Sequence, residues 1–147
     1  EIMKDPSYLI RKKVFDALNN NITISGTLYP VYNVVPSNVV YPYIYIYSLD
    51  ANTIEDNQQK YVQLVTTRVE VVTAFDTNTG GQLNCNLAMN EISQLLISKT
   101  SFFNLSSDNF NVYAAQSNGI SYITEDTDTY TLYRAILSFQ NQVEQTS

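Results

Sequence analysis

The sequence predicts an α+β fold: a mostly antiparallel β-sheet with two helices packed on one face and a projecting β-hairpin arm. Residues 61–75 read YVQLVTTRVEVVTAF, a run rich in β-branched and aromatic residues that contains no Gly or Pro. Residues 83–99 repeat apolar side chains at helical spacing. The predicted elements follow the order helix, strands, helix, strands, which favours an α+β class, and 147 residues suit one domain, 1–147.

The N-terminal helix is predicted to run from residue 6 to about residue 19. Asp5 precedes Pro6, where a carboxylate accepts a hydrogen bond from the first turn and proline has no N–H to leave unpaired. Arg11, Lys12 and Lys13 fall on the solvent side, so we expect either a solvated helix face or a patch for an anionic partner. The predicted apolar stripe is Ile10, Val14, Ala17 and Leu18.

Residues 22–42 are predicted to be irregular, with one short strand near residues 22–25, because glycine and three prolines punctuate them. The next five residues, 43–47, alternate strictly between tyrosine and isoleucine, which is typical of a strand. Ile44 and Ile46 are expected to face the core. Tyr43, Tyr45 and Tyr47 then form a row on an exposed or subunit-facing surface, where contiguous aromatic residues indicate an interface.

Residues 48–60 are polar and more numerous than a tight hairpin needs, so they are predicted to project as an arm between two antiparallel strands. We expect this arm and the sheet edges to take part in assembly. The charged candidates for that contact in the arm are Asp50, Glu55, Asp56 and Lys60.

The long strand of residues 61–75 alternates Val69 and Val71 with Arg68 and Glu70, which indicates that it is half buried. Apolar residues before Thr67 have a different parity, and a β-bulge or a change of partner near residues 65–67 would explain this shift. Arg68 and Glu70 belong to the candidate interface together with Arg134 of the last strand. The three are expected to form cross-strand ion pairs on a sheet face.

The second helix, residues 83–99, is predicted to cover the sheet with its apolar side. The single cysteine, Cys85, rules out an intrachain disulfide, and it is expected to be an inert packing residue of this helix. The predicted buried stripe is Leu87, Ala88, Ile92, Leu95 and Leu96.

The C-terminal third is predicted to contain a hairpin and a final strand. Residues 110–116 and 120–125 would be its strands, and the tight turn would lie at residues 117–119, where Asn118-Gly119 supplies positive φ angles. Residues 129–143 form the last strand. Its faces are expected to carry Ala135 and Leu137 on one side and Arg134 and Ile136 on the other.

Composition argues against several classes of function. A net charge of −6 disfavours a free-standing nucleic-acid binder, because such proteins carry basic patches. With no histidine, the chain contains neither Ser-His-Asp nor Cys-His catalysis. Glu125, Asp126 and Asp128 lack the glycine and terminal glutamate of an EF-hand loop, so a polar turn is the better interpretation. We therefore expect no enzyme activity, no metal and no cofactor. The sequence has no 18-residue apolar run and no basic-then-apolar leader, which predicts no membrane or signal segment.

The order of motifs resembles the tail-completion or tail-terminator proteins of tailed bacteriophages. The resemblance runs through a lead-in ending in Pro42-Tyr43, a polar arm, a strand with Val69-x-Val71 at its centre, and the helix NLAMNEISQLL with Leu87, Ile92 and Leu95. It implies a structural virion protein without catalysis, located in the neck or tail and assembled in the bacterial host cytoplasm. It also implies a homo-oligomeric ring, commonly sixfold, that contacts other neck or tail proteins and no membrane.

Two points stay open at this level. A monomeric binding module could use Tyr43, Tyr45 and Tyr47 as a stacking platform for carbohydrate or a protein ligand. DNA is expected to pass through a ring without specific binding, since the chain has 14 acidic and 8 basic residues. The alternative is that residues 11–13 of several subunits converge into a basic ring that holds DNA in a salt-dependent way.

Overall fold

The computed structural model describes residues 4–56, 61–76, 80–97, 104–113 and 115–146. Its helices and strands follow the predicted order. They are α1 (Ser7–Leu18), β1 (Thr23–Ile24), β2 (Thr27–Leu28), β3 (Val31–Tyr32), β4 (Tyr43–Asp56), β5 (Tyr61–Asp76), α2 (Leu83–Leu96), a 3₁₀ turn (Ser106–Asp108), β6 (Phe110–Val112), β7 (Gln116–Asp126) and β8 (Tyr130–Gln145).

The main sheet has the strand order β3-β4-β5-β8, and β6 and β7 both border the far edge of β8. Every pairing is antiparallel except that of β3 with β4. β1 and β2 form a separate small hairpin. The predicted α+β class with a mostly antiparallel sheet is therefore confirmed.

The helices and the odd-numbered residues of β5 form the main core. Val65, Val69 and Val71 are fully buried there, together with Ile44 and Ile46 of β4. α1 contributes Ile10, Val14 and Leu18, which confirms these members of its stripe, whereas Ala17 is partly buried at the margin of the core. The side chains of β5 that face the main core are odd-numbered from Val65 to Val71, and its pairing with β8 has no register shift. The expected change of buried face within β5 is therefore not present.

The buried side of α2 differs from the predicted stripe. Ala88, Ile92 and Leu96 are buried as expected, but Leu87 and Leu95 are 39% and 46% exposed. Cys85 and Met89 take their place in the core. The helix is therefore rotated about its axis from the predicted orientation, toward the side that carries Cys85. Its sequence offers apolar residues on two adjacent sides, and packing against β5 and β8 buries the side with Cys85 and Met89.

The predicted hairpin in residues 110–125 is wrong. β6 and β7 both pair with β8, as successive segments of one edge, and Asn118-Gly119 is a bulge within β7 between Ser117 and Ile120. Positive φ is present at Gly119, at 102°, but it serves the bulge. The real hairpin joins β7 to β8 through Thr127, whose N–H donates to the carbonyl of Tyr130 at 2.8 Å.

A bulge also occurs near the position predicted from the parity of β5, but it lies in the neighbouring strand. β4 carries the extra residue, Leu49, between Ser48 and Asp50, opposite Thr67 and Thr66 of β5. The hairpin arm is present as the outer parts of β4 and β5. Its β5 side also pairs with the end of β8, so the arm continues the main sheet where the sequence indicated a polar loop.

Candidate interaction surface on the open face of the sheet

The face of the sheet turned away from α1 and α2 gathers half of the predicted interface residues. We call it the open face and define it by Tyr45, Tyr47, Arg68, Glu70, Arg134, Ile136 and Ser138. The alternation of β4, β5 and β8 positions them, because even-numbered residues of β5 point away from the helices. The register places Tyr45 beside Glu70 and Tyr47 beside Arg68.

The tyrosine row is divided between two environments. Tyr43 is only 7% exposed and packs with Val72 and Leu132 under the segment that contains Tyr32 and Tyr41. Its expected position on an exposed interface is therefore wrong, because residues 32–42 fold over that end of the sheet.

Tyr45 and Tyr47 remain half-buried on the open face, and their ring centroids lie 4.9 Å apart. The two rings supply a flat amphipathic area beside polar groups. Such an area suits contact with a protein or a sugar ring equally well.

An ion-pair network of three residues crosses the open face. The guanidinium of Arg134 lies 3.5 Å from Glu70 on β5 and 3.5 Å from Glu125 on β7, which confirms cross-strand pairing for Arg134 and Glu70. Burial disfavours the charge of Arg134, but the negative charge of Glu70, with smaller contributions from the neighbouring phenol of Tyr43 and the carboxylate of Glu125, outweighs burial and raises the pKa of Arg134. Arg134 is therefore fixed as a cation at the centre of the surface.

Arg68 lies near Tyr47 and has a different role from Arg134. Its Nε atom is buried and has no hydrogen-bond partner among the described residues. The residue forms part of the floor of a groove of about 490 Å³ that runs across the open face. The groove is lined by Leu49, Asp50, Thr66, Arg68, Asn118, Gly119, Ser121, Ile123, Ile136, Ser138 and Gln140.

This groove shows which residues the sequence reasoning missed. Leu49 and Asn118 come from two bulges at the same level on opposite sides of the sheet, and no sequence rule placed those bulges opposite each other. Ser138 and Gln140 could have been found by extending the alternation of the last strand by four residues beyond Ile136.

The residues of the arm are only partly described. Asp50 is exposed at the rim of the groove. The backbones of Glu55 and Asp56 pair with Val62 and Tyr61, and their side chains, like the whole of Lys60, lie outside the described residues.

The basic patch of α1 lies beside β4. Arg11 Nη1 donates to Ser48 Oγ at 3.1 Å, and Arg11 and Lys12 line a second cavity of about 420 Å³ between α1 and β4. Lys13 is half-buried and does not line this cavity. The sequence did not indicate that the patch and the tyrosine strand adjoin.

Both sides of the sheet end in strands that have no further neighbour among the described residues: β3 and the part of β4 beyond Tyr45 on one side, and β6 and β7 on the other. The longest of these open stretches are the outer edge of β7 and the outer edge of β4 beyond Tyr45, where β3 ends. Unpaired edges expose rows of N–H and C=O groups that readily add another strand.

No three potential metal ligands among His, Cys, Asp and Glu come together in the part of the chain that the structure describes. Neither described helix is long and apolar enough to cross a membrane. A scan of the sequence against models of protein families finds no match, and a search of curated proteins finds none either.

Proposed function

We propose that this chain is a structural virion protein that forms a ring in the neck or at the end of the tail tube of a tailed bacteriophage, and so joins head and tail. The observation that carries the proposal is the pair of open edges on opposite sides of one sheet. Two different edges favour head-to-tail contacts, and such contacts generate rings when the rotation closes. The motif order that resembles tail terminators supplies the phage context.

The open face supports the same proposal. It combines two tyrosine rings with a groove of polar side chains, as interfaces between proteins often do. The negative net charge favours passage of DNA without retention. Other neck or tail proteins are the proposed partners of the face, and the virion is the proposed location.

Solution mass and images of the purified chain test the ring. Light scattering after size-exclusion chromatography should give a multiple of the 16.7 kDa chain mass, and negative-stain images should show closed particles with a central hole. A chain that stays at 16.7 kDa at every concentration would contradict the proposal.

A monomeric binding module is the second candidate, favoured by the stacked pair Tyr45 and Tyr47 beside the polar groove. A soluble oligosaccharide mixture titrated into the protein should then quench tyrosine fluorescence, and Tyr47→Ala should remove the effect. Absence of quenching together with a ring-sized mass would exclude this second candidate.

A further inference from the structure

We infer that neighbouring copies of the chain join through their sheet edges, β7 of one copy adding as an antiparallel strand to the outer edge of β4 in the next. This inference rests on the proposed ring function and names the contact that builds the ring. Strand addition suits both edges because the backbone supplies the affinity and the flanking side chains supply the specificity.

The two edges match in length and in direction. β3 borders β4 only at Ile44 and Tyr45, which leaves residues 46–56, and this stretch is as long as the 11-residue β7. β7 opposes β8, β8 opposes β5, and β5 opposes β4, so β7 and β4 run in opposite directions within one copy. A second copy rotated about an axis along the strands therefore presents β4 to β7 as an antiparallel partner.

The N–H groups of β4 point toward this partner. Ile44 N–H donates away from β5, to the carbonyl of Pro30, at 2.8 Å. Because backbone direction alternates along a strand, the N–H groups of Ile46 and Ser48 also point away from β5. They meet no strand within the described residues.

The N–H groups of β7 have the matching alternation. Thr127 N–H points toward β8, where it donates to Tyr130. The N–H groups of Thr124 and Asp126 therefore point outward. Overlapping the two 11-residue edges brings residue 126 beside residue 46 and residue 124 beside residue 48. This pairs outward groups with outward groups in the stretch of β4 that precedes its bulges.

The side chains along β7 need a cover. Ile120, Tyr122 and Ile123 are 37%, 41% and 45% exposed, and they occupy both faces of an edge strand. An exposed strand with such residues adds to another sheet unless it is protected. On β4, the cavity of about 420 Å³ between α1 and the strand would receive the residues of β7 that share the helix side of the sheet.

Complementary charges favour a second copy of this chain as the partner of the β4 edge. Asp126 shares the helix side of the sheet with Ile46, so full overlap places its carboxylate near Arg11 and Lys12, which line that cavity. Copies with a net charge of −6 repel one another. An acidic end of one edge facing the basic cluster beside the other edge offsets this repulsion at the contact.

Proline at residue 124 tests the edge of β7. Thr124→Pro removes an outward N–H and keeps the backbone hydrogen bonds between β7 and β8, since proline is tolerated on edge strands where the N–H faces outward. We expect the variant to keep its circular dichroism spectrum and to elute at the mass of one chain. Thr124→Val, which keeps the N–H, should assemble like the parent. Parent-sized assemblies of folded Thr124→Pro would overturn the inference while leaving the ring itself intact.

Mixing experiments test the head-to-tail arrangement. Ser48→Pro should disable the β4 edge in the same way, with Ser48→Ala as its control. Each proline variant alone should be monomeric, and an equimolar mixture should give a dimer, because one intact β4 edge meets one intact β7 edge. Dimers formed by either variant alone would show like-with-like pairing and overturn the inference. A monomeric parent would overturn the ring proposal together with it.

A charge variant keeps the inference testable if proline unfolds the chain. Thr124 lies opposite Ser48, to which Arg11 donates, so Thr124→Lys places a cation against Arg11 and Lys12 and Thr124→Glu places an anion there. We expect Thr124→Lys to need at least a tenfold higher protein concentration for assembly than Thr124→Glu, with the gap narrowing at high salt. Equal assembly by both variants would place β7 elsewhere and overturn the inference.

Discussion

The two faces of the sheet are formed by the same strands, yet they carry different kinds of side chain. On the helix side, Val69 and Val71 of β5 meet Ala135 and Leu137 of β8, and all four are at most 1% exposed. One residue further along each strand, the open face carries charged groups, tyrosine rings and a polar groove. The helix side therefore stabilises the fold, and the open face keeps groups whose burial would be costly without a partner.

The largest expected effect belongs to the helix side. Ile92→Ala in α2 should lower the free energy of unfolding by about 2 to 5 kcal/mol, because it removes a fully buried side chain. Leu95→Ala in the same helix is the matched control and should change it by less than about 0.5 kcal/mol, since Leu95 is 46% exposed. Urea denaturation at low protein concentration measures both. Equal losses would mean that α2 packs in the orientation predicted from the sequence.

The ion pair of the open face should have an intermediate effect. Arg134→Met leaves Glu70 without its counter-charge and should cost about 1 to 3 kcal/mol of unfolding free energy. The double variant Glu70→Gln with Arg134→Met should recover part of that loss, because neither charge is then left unpaired. Strictly additive losses in this double-mutant cycle would show that the two groups do not interact.

The smallest expected effect appears only in alkaline solution. Burial raises the pKa of Cys85 above its ordinary value of 9.0, and the Thr73 hydroxyl only partly opposes this. The unfolded chain then loses the thiol proton at a lower pH than the folded chain does. The contribution of the neutral thiol to stability is therefore complete below pH 9.0 and is lost as pH rises from there through the folded-state pKa.

Cys85→Ser isolates this contribution, because a serine hydroxyl can still donate to the carbonyl of Tyr133 and does not ionise in this range. The difference in Tm between parent and variant should be constant from pH 7 to pH 8 and should shift against the parent above pH 9. A difference that stays constant to pH 10.5 would contradict a buried neutral thiol.

The elements of the fold were largely predictable from local pattern. β5 was found because its apolar residues alternate over a long run without glycine or proline, and α1 because Asp5 and the asparagines after residue 18 mark its ends. The structure bears this out locally: Asp5 Oδ1 accepts from Ser7 N–H at 2.9 Å, and Asn20 adopts a positive φ of 64°.

The misplaced features depend on partners distant in sequence. Asn118-Gly119 suits a tight turn and a bulge equally well, and only pairing of both flanking segments with β8 decides for the bulge. Likewise, either Leu87 and Leu95 or Cys85 and Met89 could face the sheet from α2. Only the packing of the helix against the sheet determines that Cys85 and Met89 are buried. The open face was found in part, since alternation separated Tyr45 and Arg68 from the core-facing residues of their strands and Arg134 was expected in a cross-strand ion pair. No local signal showed that residues 32–42 would cover Tyr43.

Two of the three bulges in the described part of the sheet also fix how the strands align along the molecule. Leu49 in β4 and Asn118-Gly119 in β7 flank the uninterrupted ladder of β5 and β8 at the same level, near Thr67 and Phe139. A slip of two residues would keep every side chain on its own face, so alternation alone does not forbid it. Such a slip would move each extra residue out of its bulge and into a regular ladder position. The bulges thus act as register pins at both sides of the sheet, and they hold the 16-residue strands β5 and β8 to one alignment with their neighbours.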